Sequence, residues 1–281
     1  MKIGLISDLH AEATEANKAI VPFLIDAIIS AELDVFVLAG DVTPNLSEFY
    51  EILGEFGKSE MTCQKLFVPG NHDIWVSKDA NMTSQQKCRV ISEICQDHGF
   101  YSLIDAPYIT EKIGFCGTIG WYDYTFASDK YDFSAEQYAE KQLMETVWND
   151  KRYARWTDTD ENIAHRFETD LDKQIAFLKD KVQRIIVVTH HVPFRECIRY
   201  RGELPWDYFC AFYGSEGLGI LCLQEPLVTH ALFGHVHYAV NQKVGNVKAI
   251  CAPIGYLHEQ PTEGLQAYAE RSLTCFSLAT V

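Results

Sequence analysis

Short apolar runs alternate with longer amphipathic segments over the first part of the chain. The runs at 2–8, 34–39 and 65–68 are rich in branched apolar side chains, which is typical of buried strands. Helices are predicted between them, at 12–31 and 46–56, because apolar positions recur there at roughly helical spacing. Strands and helices in this order predict parallel strands joined by right-handed crossovers, which is an α/β fold.

The alternation continues to the end of the chain. The predicted elements are a helix at 84–98, a strand at 113–117, a helix at 163–179, and strands at 184–189, 229–233, 249–252 and 274–278. We expect the last two strands to be antiparallel and to complete a second sheet. No segment resembles an interdomain linker, so the pattern predicts a single domain over residues 1–281.

Residues 120–170 interrupt this pattern with many aromatic and acidic side chains, among them Trp121, Tyr122 and Trp148. We interpret the segment as a helical insertion near the functional edge of the sheet, where it would form a wall of a substrate pocket. The alternative is that its aromatic side chains only pack the insertion onto the domain.

The composition limits the class of protein and of partner. With 47% hydrophobic and 22% charged residues, the chain is typical of a folded globular protein and not of a disordered one. Its formal net charge of −15 repels polyanions at long range, which disfavours nucleic acids and anionic membranes as main partners. A small anionic substrate is still compatible with this charge, because a local metal ion can outweigh a distant field.

We expect neither a signal peptide nor a membrane span from this sequence. The chain begins with a strand pattern instead of the apolar region of a signal peptide, and it has no run of about 18 apolar residues. The 9 cysteines are scattered and form no C-x-x-C pair, which favours reduced thiols and argues against a cysteine-based zinc site. These features predict a cytoplasmic protein without a membrane span.

Polar residues follow five of the predicted strands at the point where each strand ends. They form the segments Asp8-Leu9-His10, Gly40-Asp41, Gly70-Asn71-His72-Asp73, His190-His191 and Gly234-His235-Val236-His237. Because the carboxyl ends of parallel strands lie at one edge of a sheet, we expect these side chains to meet there. A single histidine on such a loop is usually structural. The repetition favours a ligand site, since burying so many polar groups without a cation or partners is costly.

The types of donor indicate which cations would bind. Carboxylate, amide and imidazole groups without thiolates suit Mn²⁺, Fe²⁺, Zn²⁺, Co²⁺ or Ni²⁺, and the order of affinities does not choose among them. Two ions about 3.5 to 4 Å apart need a bridging carboxylate. Asp41 stands alone between two mixed sets of donors, so it is the natural bridge in a centre of two divalent metal ions.

In order and spacing, these segments resemble the motifs of the calcineurin-like metallophosphoesterase superfamily, over the whole stretch from Asp8 to His237. The resemblance implies a four-layer α-β-β-α sandwich of two mixed sheets with flanking helices, and a dinuclear metal centre at the strand ends. The first ion would be held by Asp8, His10 and His237 and the second by Asn71, His190 and His235, with Asp41 bridging them.

The resemblance also implies roles for residues around the metals. His72 would contact the phosphoryl oxygens and protonate the leaving group, and Asp73 would orient it. The double histidine leaves open which of the two is the ligand; related sequences favour His190, and His191 would then face the substrate or fix a neighbour. Arg195 is a candidate for substrate binding, although a solvated basic loop is the alternative.

The expected activity is hydrolysis of a phosphomonoester or phosphodiester by a metal-bridging hydroxide, with a small anionic phosphoester as the substrate. Residues 195–219, which include Arg199 and Arg201, are candidate walls of the pocket. A nuclease of the same superfamily and a catalytically silent protein-binding scaffold are the alternatives. The acidic net charge disfavours the nuclease. The scaffold would be expected to have lost metal ligands, and here every ligand position is filled.

Overall fold

Two large β-sheets lie face to face at the centre of the structure, and helices cover their outer faces. The computed structural model describes residues 1–78, 80–259 and 264–279. Its strands are β1 (Lys2–Ile6), β2 (Val35–Ala39), β3 (Gln64–Val68), β4 (Phe100–Ser102), β5 (Tyr108–Thr110), β6 (Ile113–Thr118), β7 (Gln142–Leu143), β8 (Thr146–Val147), β9 (Arg184–Thr189), β10 (Val228–Phe233), β11 (Val240–Val244), β12 (Val247–Cys251) and β13 (Thr274–Ser277). Its α-helices are α1 (Glu15–Ala19), α2 (Val21–Ser30), α3 (Leu46–Lys58), α4 (Ser84–Asp97), α5 (Ala135–Ala139), α6 (Asp150–Tyr153), α7 (Asp160–Leu178), α8 (Trp206–Phe209), α9 (Glu216–Gln224) and α10 (Leu265–Ser272). Short 3₁₀ helices lie at Arg195–Cys197, Cys210–Phe212 and Leu257–Glu259.

Both sheets are mixed, with parallel strands at their centres. The first sheet has the order β13-β1-β2-β3-β4, in which β1 to β4 are parallel and β13 is antiparallel to β1. The second sheet has the order β11-β12-β10-β9-β6-β5, with β11 and β5 as antiparallel edges. Strands β7 and β8 form a separate hairpin. The predicted α/β fold with two mixed sheets and flanking helices is confirmed.

The last two strands differ from the prediction. β12 belongs to the second sheet as expected, and it is antiparallel to β11 but parallel to β10. β13 is antiparallel as expected, but it joins the first sheet beside β1. The cause is the helix between them, because α10 packs against α2, which covers the first sheet. An apolar run predicts a strand, but its partner depends on such tertiary contacts. The predicted helical segment 12–31 also divides into α1 and α2, with Pro22 in the first turn of α2.

Alternation of side chains along the strands explains the four layers. On β2, Val37 faces the second sheet, whereas Leu38 faces the helices on the outside. On β9, Ile186 faces the first sheet, whereas Val187 packs with residues of α7 and α9. Each sheet is therefore apolar on both faces, as parallel sheets covered by helices require.

The carboxyl ends of the parallel strands meet at one edge of the sandwich. The backbone of Ser7 joins the two sheets there, because its N–H donates to Ala252 O and its carbonyl accepts from Ile254 N–H, both at 2.9 Å. Gly40 follows β2 with a φ of +83°, and a Cβ at this position would lie 2.5 Å from the backbone nitrogen of Gly70. The segments that leave β2 and β3 thus approach each other more closely than a side chain would allow.

Replacing Gly40 with alanine should lower the free energy of unfolding by about 3 kcal/mol or more, since left-handed strain adds to an overlap with backbone. Gly264→Ala is the matched control, because a Cβ there meets nothing within 4 Å and φ is −62°. Denaturant unfolding of both variants measures the difference. Equal stability of the two variants would contradict the close approach of these strand ends.

Candidate metal centre

Seven of the residues singled out in the sequence lie together at the carboxyl edge of the two sheets. They are Asp8, His10, Asp41, Asn71, His190, His235 and His237, which follow β1, β2, β3, β9 and β10. Left-handed backbone, with φ between +47° and +74°, occurs at Asp8, His10, Asp41, His235 and His237. Residues other than glycine adopt this conformation seldom, and a cluster of them is a feature of functional sites.

The first group of candidate ligands consists of Asp8, His10, Asp41 and His237, each of which offers one ligand atom within 4.8 Å of the others. The Nε2 atoms of His10 and His237 lie 2.8 Å apart. Oδ2 of Asp41 is 3.6 Å from His10 Nε2, and Oδ1 of Asp8 is 3.7 Å from His237 Nε2. Two carboxylates and two imidazoles thus converge on one small volume.

The second group consists of Asp41, His190 and His235. Oδ2 of Asp41 is 3.3 Å from His190 Nε2, and the side-chain oxygen of Asn71 lies 3.2 Å from His190 Nε2 and 3.0 Å from His235 Nδ1. The amide of Asn71 therefore completes this group with a neutral oxygen. The other ring nitrogen of His235, Nε2, is buried without a hydrogen-bond partner in the described part of the chain.

Asp41 belongs to both groups. Burial alone would raise the pKa of its carboxyl, but His190 and His72 outweigh burial and hold the pKa well below its usual range. The residues present fit divalent cations of the Mn²⁺ to Zn²⁺ type, because they bring carboxylate, imidazole and amide donors together without a thiolate. Both the types of donor and the convergence of the side chains therefore fit a site for divalent metal ions.

The adjacent residues His190 and His191 have different surroundings in the structure. Nε2 of His190 faces Asp41, which belongs to the same group of candidate ligands. Its Nδ1 lies 2.9 Å from Ala39 O, and a backbone carbonyl in this position is a usual partner that orients metal-binding histidines. Burial lowers the pKa of His190, but the carboxylate of Asp41 outweighs this and raises it to about 9. His191 is buried behind His235, with ring centroids 4.4 Å apart, and it does not line the cleft. Of the two roles expected for His191, its burial beside His235 favours fixing a neighbour over contact with substrate.

Asp73 does not orient His72 as expected. Its carboxylate accepts hydrogen bonds of 2.8 to 3.1 Å from the backbone N–H groups of Gly70, Asp41, Val42 and Thr43. Burial and the neighbouring charge of Asp41 raise the pKa of Asp73 to about 6. The sequence-based role was wrong because the turn after β3 directs this side chain inward, where it ties the loops after β2 and β3 together.

Glu12 takes the place that was expected of Asp73. Its Oε1 lies 2.7 Å from Nδ1 of His72 and 3.2 Å from Nδ1 of His10. Burial would raise the pKa of Glu12, but the hydrogen bonds to these two histidines outweigh burial and lower it to about 2. Glu12 was not among the predicted site residues, although its position two residues after His10 on the same loop is a usable signal.

Asp150 is a second residue that the sequence analysis missed. Its buried carboxylate accepts four hydrogen bonds, of 2.6 to 3.1 Å, from the side chains of Asn71, Trp75, Tyr122 and Trp148. The side-chain N–H of Asn71 donates to Asp150. The side-chain oxygen of Asn71 therefore faces His190 and His235. Asp150 lies 79 residues from Asn71, in the aromatic segment, so no local pattern indicates the contact.

The aromatic segment 120–170 contains α5, α6, the hairpin of β7 and β8, and the start of α7. Trp121 and Tyr122 are fully buried in the core that covers the first sheet, so these rings pack the segment onto the rest of the chain. Trp148 instead lines a cleft. The packing interpretation is confirmed for Trp121 and Tyr122, and the position of Trp148 is compatible with the expected pocket wall.

A cleft of about 900 Å³ leads away from the candidate ligands. Asn71, His72 and His235 line it together with Arg199 and Arg201. Arg195, the expected substrate-binding residue, does not line this cleft. Its guanidinium donates to Thr125 O at 2.8 Å, to Ala127 O at 2.7 Å and to Asp129 Oδ1 at 2.8 Å. Arg195 therefore holds the loop at 125–129 in place.

Solved structures of similar fold span nearly the whole chain. A phosphopantetheinyl hydrolase from Mycobacterium tuberculosis superposes with a TM-score of 0.75 and 18% identity, covering 93% of both chains. A protein from Thermus thermophilus has a TM-score of 0.56 and 12% identity, covering 98% of this chain and 97% of its own. A dimetal phosphatase from Danio rerio has a TM-score of 0.54 and 14% identity, covering 93% and 89%. At these identities the likeness shows a shared fold.

Comparisons of sequence give the family. No curated protein sequence matched the chain. In the described part of the chain, no α-helix has both the length and the apolar character needed to cross a lipid bilayer. The model of the calcineurin-like phosphoesterase family matches residues 1–239, a stretch that includes all the candidate ligands. The chain therefore belongs to the calcineurin-like phosphoesterase family and is a metal-dependent hydrolase of phosphoric esters.

Proposed function

We propose that the protein hydrolyses small phosphomonoesters or phosphodiesters with a pair of divalent metal ions. The observation that carries the proposal is the position of Asp41, whose carboxylate belongs to both groups of candidate ligands. The first ion would be held by Asp8, His10 and His237, and the second by Asn71, His190 and His235. Asp41 would be shared between them.

Divalent ions bound by these residues would lower the pKa of water and place positive charge beside the phosphoryl oxygens. The protein's own groups then orient the ester and protonate the leaving group. His72 lines the cleft, and Glu12 occupies its Nδ1, so Nε2 is the ring nitrogen that can protonate the departing oxygen. Trp75 stacks on this ring, with centroids 3.6 Å apart, and limits its rotation.

Two properties favour a small substrate over a nucleic acid. The net charge of −15 repels a polyanion, and the volume of the cleft, about 900 Å³, is in the range of small-molecule pockets. The similar fold of a phosphopantetheinyl hydrolase adds one ester to the substrates worth testing. We therefore propose a panel of p-nitrophenyl phosphate, its bis ester and a phosphopantetheinyl ester, each assayed with Mn²⁺.

The proposal predicts metal-dependent turnover of at least one ester in this panel and about two metal ions per chain by elemental analysis. A chelator should abolish turnover, and Mn²⁺ should restore it. A purified chain that neither binds divalent metal nor hydrolyses any of these esters would contradict the proposal and favour the protein-binding scaffold.

Asp41→Asn should lower kcat/KM for the best ester by roughly 100-fold or more, because the shared ligand loses its charge. Elemental analysis should show fewer than two metal ions per chain. Full metal content together with full turnover in this variant would refute the role of Asp41 as a shared ligand.

Glu12→Ala should reduce kcat by roughly 10- to 100-fold for an alkyl phosphate, whose leaving group needs a proton. The loss should be smaller for p-nitrophenyl phosphate, since its leaving group departs without one. Both esters are assayed at saturating Mn²⁺, so that a weaker metal affinity caused by the lost contact between Glu12 and His10 does not limit turnover. Glu15→Ala, an exposed site on α1, is the control. Equal losses for both esters would show that Glu12 does not act through His72.

In Asp150→Asn, the side chain of Asn71 should no longer be held in one orientation. The new amide places an N–H group against side chains that themselves donate. We expect metal bound per chain to fall from two ions toward one. Asp160→Asn is a matched control: this buried carboxylate accepts from Trp121 and Tyr124 but contacts no candidate ligand. If both variants lose metal equally, the effect of Asp150 is only on stability.

A further inference from the structure

We propose that Arg199 and Arg201 form a second anion-binding subsite, which takes a phosphoryl group on the leaving-group side of the substrate. This inference rests on the proposed hydrolysis of a small phosphoester and specifies its substrate class. The substrate would carry two phosphoryl groups separated by an apolar spacer. One group would lie at the candidate metal ligands and the other at the arginines.

Both arginines share a cleft with the candidate metal ligands. The guanidinium of Arg199 lies over the ring of Tyr238, 4.0 Å from its centroid. Tyr238 directly follows His237, a candidate ligand, so a single aromatic side chain separates this guanidinium from the backbone of the ligand loop. The arginines and the candidate ligands therefore line one cleft of about 900 Å³, a volume that one small molecule can fill.

The arginines are held in a way that leaves their donors available. The guanidinium of Arg201 lies over Trp206, 3.4 Å from the ring centroid. Stacking engages the flat faces of the two guanidinium groups, whereas their N–H groups point outward in the plane. In the described part of the chain neither side chain forms an ion pair, unlike Arg195, which pairs with Asp129. These donors can thus receive an oxyanion in a bidentate fashion.

The loop that carries the arginines is fixed before any ligand arrives. The buried carboxylate of Asp207 accepts the backbone N–H groups of Arg201 at 2.8 Å and Gly202 at 3.0 Å. The backbone N–H of Arg199 donates to the hydroxyl of Tyr238 at 3.1 Å. Such preorganisation reduces the entropy that binding would cost.

The charge of this part of the cleft is opposite to that of the whole protein. Among the residues that line the cleft beside the arginines, two guanidinium groups and the exposed carboxylate of Glu203 give a formal charge of +1 (2 − 1), on a chain of net charge −15. The carboxylate of Asp207 is buried outside this lining and accepts backbone N–H groups. Trp148 and Phe209 contribute apolar surface to the same cleft. A phosphoryl group fits the arginines, and an apolar spacer fits these aromatic rings.

The test uses α,ω-alkanediol bisphosphates of increasing chain length, each compared with the monophosphate of the same diol, in the presence of Mn²⁺. For at least one length, kcat/KM for the bisphosphate should exceed that for the monophosphate by about 10-fold or more. In the double variant Arg199→Gln, Arg201→Gln, the ratio of kcat/KM for bisphosphate over monophosphate should fall. It should approach the value that arises only because a bisphosphate has two equivalent ends to react. Arg199→Lys, Arg201→Lys should give an intermediate ratio, because it keeps the charge but loses the planar donors.

Arg166→Gln is the charge-matched control, since Arg166 lies on α7 and does not line the cleft; it should retain the ratio. Hydrolysis of monophosphates without preference for a bisphosphate of any length would overturn the subsite and leave the proposed function standing. If no ester is hydrolysed, the proposed function fails. Calorimetric binding of the bisphosphate to the wild type but not to the double glutamine variant would then still support the subsite, and equal binding would overturn it.

Discussion

The site depends on the contacts that compensate the buried carboxylate of Asp41. Removing a carboxylate from water costs several kcal/mol unless nearby groups compensate it. Here His10 and His190 approach one oxygen, at 3.6 and 3.3 Å, and the backbone amide of His72 donates to the other at 2.8 Å. The fold explains the location, because β2 lies between β1 and β3 in the first sheet. The residue that follows β2 is therefore flanked by the candidate ligands of both neighbouring strands.

The aromatic segment is joined to the candidate metal ligands through Asp150. One oxygen of this carboxylate accepts from Asn71 and Trp75, and the other accepts from Tyr122 and Trp148. Trp148 also lines the cleft, so the wall of the cleft and the orientation of a candidate ligand depend on the same buried group. A carboxylate with four donors around it is costly to disturb, which makes this connection rigid.

Local patterns predicted most of the parallel strands and their polar ends, but neither the sheet that β13 joins nor the contacts between distant loops. The apolar run at 34–39 and the polar pair that follows it placed Asp41 correctly at a strand end. Asp73 was misread, because its place beside His72 in the sequence does not reveal that its side chain turns inward to four backbone amides. Glu12 and Asp150 also contact residues of other loops, His72 and Asn71, and such contacts depend on tertiary packing. Only the place of Glu12, two residues after His10, gives a local signal.

Anomalous scattering from crystals grown with Mn²⁺ tests the central claim most directly. The account predicts two peaks on either side of the Asp41 carboxylate, one beside His10 and His237 and the other beside His190 and Asn71. Asp41 would contact both ions. A single peak, or peaks that Asp41 does not contact, would contradict the shared carboxylate and the dinuclear centre with it.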